Sequence, residues 1–140
     1  LILVLAVLVS LIPQNHIIIY PDTQKRIENY ALFGSEKDKL RYKLFKAVLE
    51  SGLSLYDFVV LDSIAHAESS WRHYDKNGNV LSGKINKADK GLFQINTAVH
   101  NLAWQTPEEN IRSAIELYKQ YGTKPWISSK SKWQKNLNTK

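Results

Sequence analysis

Cysteine is absent from the 140-residue chain. Its absence excludes a disulfide framework, a thiolate metal site and a cysteine nucleophile. Internal repeats and low-complexity tracts are also missing. So is an apolar run long enough to span a bilayer: residues 1–12 are apolar except for Ser10, short of the roughly 18–20 residues that a span needs. Because the first residue is leucine, this run is expected to be the end of a longer span or a signal h-region. No small-x-small cleavage site precedes Pro13-Gln14-Asn15-His16, which favours an uncleaved anchor over a cleaved signal. A buried N-terminal helix or strand is the structural alternative. Acidic residues are missing after Glu116, where six lysines follow (Lys119, Lys124, Lys130, Lys132, Lys135 and Lys140). Such a cationic end either attracts a polyanion or is simply a solvated tail.

What is present describes one ordinary folded domain. Hydrophobic residues make up 44% and charged residues 23% of the chain, inside the range for globular proteins. A chain of this length buries roughly 68–70% of its unfolded surface, so a core forms without staples. The formal charge is +6, and all of it comes from the C-terminal lysines, because the residues before them balance.

The helix signals are sharp. Ser35 with Asp38 predicts an N-cap, and Leu40, Leu44, Ala47 and Val48 form one stripe that stops at Ser51-Gly52. Ser54 with Asp57 predicts a second start, with Phe58, Leu61, Ile64 and Ala65 facing inward. Thr106-Pro107-Glu108-Glu109 combines a capping threonine, proline at the first helical position and glutamate three after the cap. Ile111, Ala114, Ile115 and Tyr118 then recur at helical spacing until Gly122 and Pro125. Between the second and third helices, Asn77-Gly78 predicts a hairpin over residues 74–86.

One acid stands out. Glu68 continues the apolar stripe of its helix and falls near the C-terminal end. Desolvation and the partial negative charge of that end both favour the protonated form. A carboxyl still protonated near neutral pH can serve as a general acid. A satisfied structural glutamate is the competing reading.

Glu68-Ser69-Ser70-Trp71, a polar hairpin and then Gly91-Leu92-Phe93-Gln94-Ile95-Asn96 together resemble the lysozyme-like lytic transglycosylases of the soluble-lytic-transglycosylase type. That family pairs a Glu-Ser at a helix end with a Gly-Leu-Met/Phe-Gln-Ile segment after a loop. Asn110-Ile111 through Ala114, Tyr118, Gly122 and Pro125-Trp126 are similar to its closing helix, and the likeness covers roughly residues 54–133. The resemblance implies that Glu68 is the single acid/base and that Ser69 hydrogen-bonds near it. It implies that Gln94, the backbone around Phe93 and Asn96 line a sugar cleft. Tyr118 would match the family's tyrosine on the closing helix, although here it lies in Ala-Ile-Glu-Leu-Tyr rather than the usual Ala-Tyr-Asn-Ala-Gly.

Asp89, two residues before Gly91, resembles the aspartate of animal-type lysozymes ahead of their Gly-Ile-Leu-Gln-Ile-Asn segment. Across a cleft from Glu68 it would permit hydrolysis with a second carboxylate, retaining at roughly 5–5.5 Å separation and inverting at roughly 6.5–9.5 Å. It could instead cap the following turn or pair with Lys87 or Lys90. Asp75-Lys76-Asn77-Gly78-Asn79 begins like a calcium loop, but Val80 occupies the glycine position and Asn86 the bidentate-glutamate position. It reads as turn chemistry. His16, His66, His73 and His100 lack metal-ligand spacing. Among Trp71, Trp104, Trp126 and Trp133, one is expected to touch substrate.

The sequence therefore predicts a mostly helical α+β domain of lysozyme-like kind with one small hairpin. Its parts would be an apolar anchor or signal over residues 1–20, a linker and helix over 21–53, the transglycosylase domain over 54–133 and a basic tail over 134–140. The expected activity is peptidoglycan cleavage without metal or cofactor by a monomer of the cell envelope, outside the cytoplasm. The tail would hold anionic wall polymer or a membrane surface. A water-using muramidase and a non-catalytic glycan-binding domain are the rivals, and nucleic-acid binding lacks a recognisable reading element.

Overall fold

A computed structural model describes residues 34–138. The apolar segment over residues 1–20, and with it the expected anchor or signal, lies outside them. Among the described residues no helix is long and apolar enough to cross a membrane.

The three capped helices form where the capping signals put them. Helix α1 spans Glu36–Glu50, α2 spans Leu55–Ser69 and α3 spans Pro107–Tyr121, and each starts with a complete capping box: Ser35/Asp38, Ser54/Asp57 and Thr106/Glu109. Helix α2 is the axis of the domain. Six consecutive residues, Val60 to Ala65, are buried, because α1 packs on one side of it and α4 on another. Burying its whole circumference encloses Asp62, which is 2% exposed. Arg41 on α1 answers that charge with a two-pronged contact, Nε to Oδ1 at 2.7 Å and Nη2 to Oδ2 at 2.9 Å. The same guanidinium lies 6.0 Å from the centroid of buried Trp71.

The β-structure is smaller than expected and lies elsewhere. Asn77-Gly78 does turn the chain, with a Tyr74–Val80 bridge behind it. Asp75 braces the turn by accepting from the backbone N–H groups of Asn77 and Asn79. The paired strands, however, are β1 (Asp89–Lys90) and β2 (Ile95–Asn96), antiparallel with Asp89 opposite Asn96. A further bridge joins Ser82 to Lys90. The fold is thus α+β and predominantly helical.

The C-terminal lysines are not a loose tail up to Asn138. A 3-10 helix over Lys124–Ser129 leads into helix α4, Lys130–Asn138, so the expected boundary after residue 133 falls inside a helix. Trp133 is buried and Leu137 packs on the core, which docks α4 on α2.

Candidate active site

A cleft of about 280 Å³ opens between the C-terminal end of α2, the β1–β2 unit and the 3-10 helix. Its lining includes Glu68, Asp89, Gln94, Asn96, His100 and Trp126. Of the residues singled out from sequence, Glu68, Asp89, Gln94 and Asn96 are brought together here.

Glu68 belongs to the last turn of α2. The helix ends abruptly beyond it, because Ser70 and Trp71 take positive φ angles of 53° and 64°, a conformation that costs a side-chain-bearing residue roughly 1–2 kcal/mol. Burial of Trp71 in the core offsets that cost. Ser69 serves this turn and does not steady the Glu68 carboxyl: its hydroxyl donates to Ala65 O at 3.2 Å and accepts from the Arg72 N–H at 3.1 Å. The hydroxyl that reaches Glu68 is Ser129, at the end of the 3-10 helix, which donates to Oε1. Sequence reading missed this serine. It lies 61 residues away, and Ser-Ser before a lysine-rich end carries no signal of its own.

Burial raises the Glu68 pKa, the Asp89 charge raises it further, and the Ser129 hydrogen bond and Lys132 oppose them. Asp89 is also raised by burial, less deeply, and an Asn96 hydrogen bond favours its ionised form. Of the two acids, the more buried Glu68 is the better holder of a proton, and Asp89 is the better anion. Asp89 also accepts from Asn86 Nδ2 at 3.0 Å. It pairs with neither Lys87 nor Lys90 among the described ion pairs.

Gln94, Ile95 and Asn96 line the cleft's other wall, and the segment that leads to them, Gly91 to Phe93, is fastened from beneath. Asn110 on α3, fully buried, accepts from the Phe93 N–H at 2.8 Å and donates to Lys90 O at 3.0 Å. His73 Nδ1 accepts from the Leu92 N–H at 3.3 Å while Nε2 faces Gln105 O at 3.0 Å. Burial lowers the His73 pKa, which keeps the ring neutral and Nδ1 able to accept. Gly91 is needed at this point: its φ is +73°, and a Cβ there would stand 2.6 Å from Asn110 Nδ2 and 2.7 Å from His73 Cε1. Gln94, itself at φ +48°, turns back so that its side-chain amide N–H donates to Gly91 O at 2.7 Å.

Two other expectations are corrected. Phe93, whose backbone was expected at the sugar cleft, is fully buried and absent from the cleft lining. Its backbone groups face other partners, the N–H bonding Asn110 and the carbonyl accepting from Trp126 Nε1 at 2.9 Å. Tyr118 is not in the cleft lining. Its hydroxyl donates to Asp57 at 2.8 Å, at the start of α2, about 16 Å along the helix from Glu68 at 1.5 Å per residue. Of the tryptophans, Trp126 is the one that lines the cleft, as a buried wall.

Comparisons of the chain with protein-family models, with curated proteins and with solved structures find no match.

Proposed function

We propose that this chain is a lysozyme-like glycosidase that cleaves peptidoglycan as a lytic transglycosylase, at the β-1,4 bond from N-acetylmuramic acid to N-acetylglucosamine. The observation that carries the reading is Glu68, a half-buried carboxyl held toward its protonated form at the wall of a polar cleft. The likeness of Glu68-Ser69 followed by Gly91-Leu92-Phe93-Gln94-Ile95-Asn96 to that family points the same way.

Glu68 donates its proton to the glycosidic oxygen as the C1–O bond breaks, and the sugar's own N-acetyl carbonyl stabilises the cation left at C1. The Glu68 carboxylate, accepting from Ser129, then takes the proton of the C6 hydroxyl. O6 closes on C1 to give a 1,6-anhydro end, and Glu68 is protonated again for the next turnover. Attack from within the same sugar gains the high effective concentration of an intramolecular nucleophile and needs no activated water. No cofactor or metal takes part.

Asp89 supports a second reading, a muramidase that hydrolyses the same bond with two carboxylates. It lines the same cleft and its charge is felt at Glu68. The protein would work in the cell envelope, outside the cytoplasm, held there by its apolar N-terminal residues and acting as a monomer on glycan strands.

Mass spectrometry of products from purified peptidoglycan decides between these readings. Fragments one water lighter than hydrolysis products, lost in Glu68→Gln, are expected. Ordinary reducing ends that require both Glu68 and Asp89 would make it a muramidase. No release by the wild-type protein would overturn both and leave a glycan-binding domain.

A further inference from the structure

Asp89, the better anion of the two acids on the cleft wall, makes the cleft a hostile place for a negatively charged group, but the surface around the cleft has the opposite character. One stretch of rim is the loop from Gly83 to Asp89. It is closed by the Gly83 N–H on Asp89 O at 2.8 Å and the Asp89 N–H on Asn86 O at 3.2 Å. Inside it, Asn86 accepts from the Ala88 N–H at 3.1 Å and donates to Asp89 Oδ1 at 3.0 Å. The winding is tight enough that a Cβ on Gly83 would stand 2.3 Å from Asn86 O. This fixed loop presents Lys84, Ile85 and Lys87 to solvent, with Ile85 wholly exposed, while Asn86 between them lines the cleft.

The 3-10 helix makes a second stretch of the same kind. Ile127 is 62% exposed beside Ser128, which lines the cleft, and Lys124 at the start of this helix and Lys130 and Lys132 in the first turn of α4 are exposed. The Lys132 charge reaches Glu68. None of these five lysines takes part in an ion pair among the described residues.

We propose that this rim binds the peptide carried by the glycan substrate: a short peptide with free carboxylates and small apolar side chains, branching from a sugar seated in the cleft. The inference rests on the glycan-cleaving reading above. A carboxylate beside Asp89 would be repelled, whereas one on the rim meets lysines that form none of the described ion pairs. Each exposed isoleucine offers an apolar side chain a surface to cover. Ile85 and Lys87 flank Asn86 of the cleft lining and Ile127 precedes Ser128, and successive Cα atoms are about 3.8 Å apart, so a short branch from a sugar in the cleft reaches these nearest rim residues. A neutral unbranched glycan engages neither feature.

The test uses the whole chain carrying Glu68→Gln, so that bound glycan survives. Binding is measured to peptidoglycan strands with free carboxylates, to the same strands after amidation of those carboxylates, and to chitohexaose. The free-carboxylate strands should bind about tenfold tighter than the amidated ones, the sum of a few exposed charge contacts, and the gap should shrink with added salt. Lys84→Gln with Lys87→Gln, or separately Lys130→Gln with Lys132→Gln, should narrow the gap without changing chitohexaose binding, and Ile85→Ser should weaken both kinds of strand. Equal affinity for free and amidated strands would overturn the rim proposal and leave the glycan-cleaving reading intact. So would lysine variants that lose anionic phospholipid vesicles while binding strands normally, since the rim would then serve a membrane. Failure of the folded protein to bind any glycan, charged or neutral, would overturn both.

Discussion

Replacing Ser129 by alanine should raise the midpoint at which Glu68 ionises. The hydroxyl donates to Glu68 Oε1, and it has a second acceptor in Trp126 O at 3.2 Å. With Glu68 ionised, the serine proton belongs on the carboxylate. With Glu68 protonated, the acid can donate to Ser129 Oγ while the serine turns to Trp126 O. Both states therefore use the hydroxyl, and only the difference between them moves the pKa. A hydrogen bond to a charged acceptor is worth about 1.5–3 kcal/mol and one between neutral groups about 0.5–1.5 kcal/mol. The difference, about 1–1.5 kcal/mol, corresponds to roughly one pH unit.

Carbon-13 NMR of the glutamate carboxyl reads that midpoint directly and requires no activity. Ser129→Ala should shift it upward by about one pH unit, and Ser129→Thr, which keeps the hydroxyl, should restore it. Ser129→Val fills the space more fully, so its shift is not masked by water donating in the serine's place. An unchanged or lower midpoint in both Ser129→Ala and Ser129→Val would refute the argument.

Asp89→Asn should move the same midpoint down, because the neighbouring negative charge that favours the protonated form is gone; a rise would mean that Asp89 acts on Glu68 through structure rather than charge. Glu68→Gln should stabilise the fold, and the gain should depend on pH. Burial lifts the folded pKa above the ordinary 4.5, so the cost of the anion is present above the folded pKa and disappears below about 4.5. The melting temperature of Glu68→Gln should therefore exceed wild type at pH 8 and approach it at pH 4. Asn110→Ala leaves the Phe93 N–H and the Lys90 carbonyl without partners in a fully buried place. It should cost about 2–4 kcal/mol in urea unfolding, and a loss under 1 kcal/mol would mean that another group takes over the clamp.

The helical frame was legible because capping is local. Ser35, Ser54 and Thr106 each announce a start with an acid three residues on, and the structure begins α1, α2 and α3 there. The strands were not legible: β1 and β2 have two residues each, too few for an alternating pattern to register. Four residues that project from the motif, Glu68, Asp89, Gln94 and Asn96, share the cleft lining, whereas others named with them are used by the fold as fasteners. Ser69 closes the helix end, the Phe93 backbone is spent on Asn110 and Trp126, and Tyr118 is drawn to Asp57 at the far end of α2. The fastening roles of Asn110, His73 and Ser129 escaped notice because each acts across at least 17 residues of chain, a separation at which spacing carries no information.

Two of those fasteners, the Phe93 carbonyl and Ser129, meet at Trp126, which makes the Glu68 environment sensitive to Trp133, a residue outside the cleft lining. The Trp126 indole N–H holds Phe93 O, and its carbonyl accepts from Trp133 Nε1 at 3.1 Å as well as from Ser129. Trp133 and Ser129 are thus two donors on one carbonyl: the more firmly Trp133 occupies it, the freer Ser129 is to serve the carboxylate. Trp133→Phe keeps an aromatic ring in the buried site and deletes only the N–H donor, so Trp126 O becomes a better acceptor for Ser129 and draws the hydroxyl from Glu68. The midpoint of Glu68 should rise, by less than in Ser129→Ala because the hydroxyl is redirected rather than lost, and Trp133→Phe should add nothing further in a Ser129→Ala background. An equal rise with and without Ser129 would show that Trp133 reaches Glu68 through packing instead.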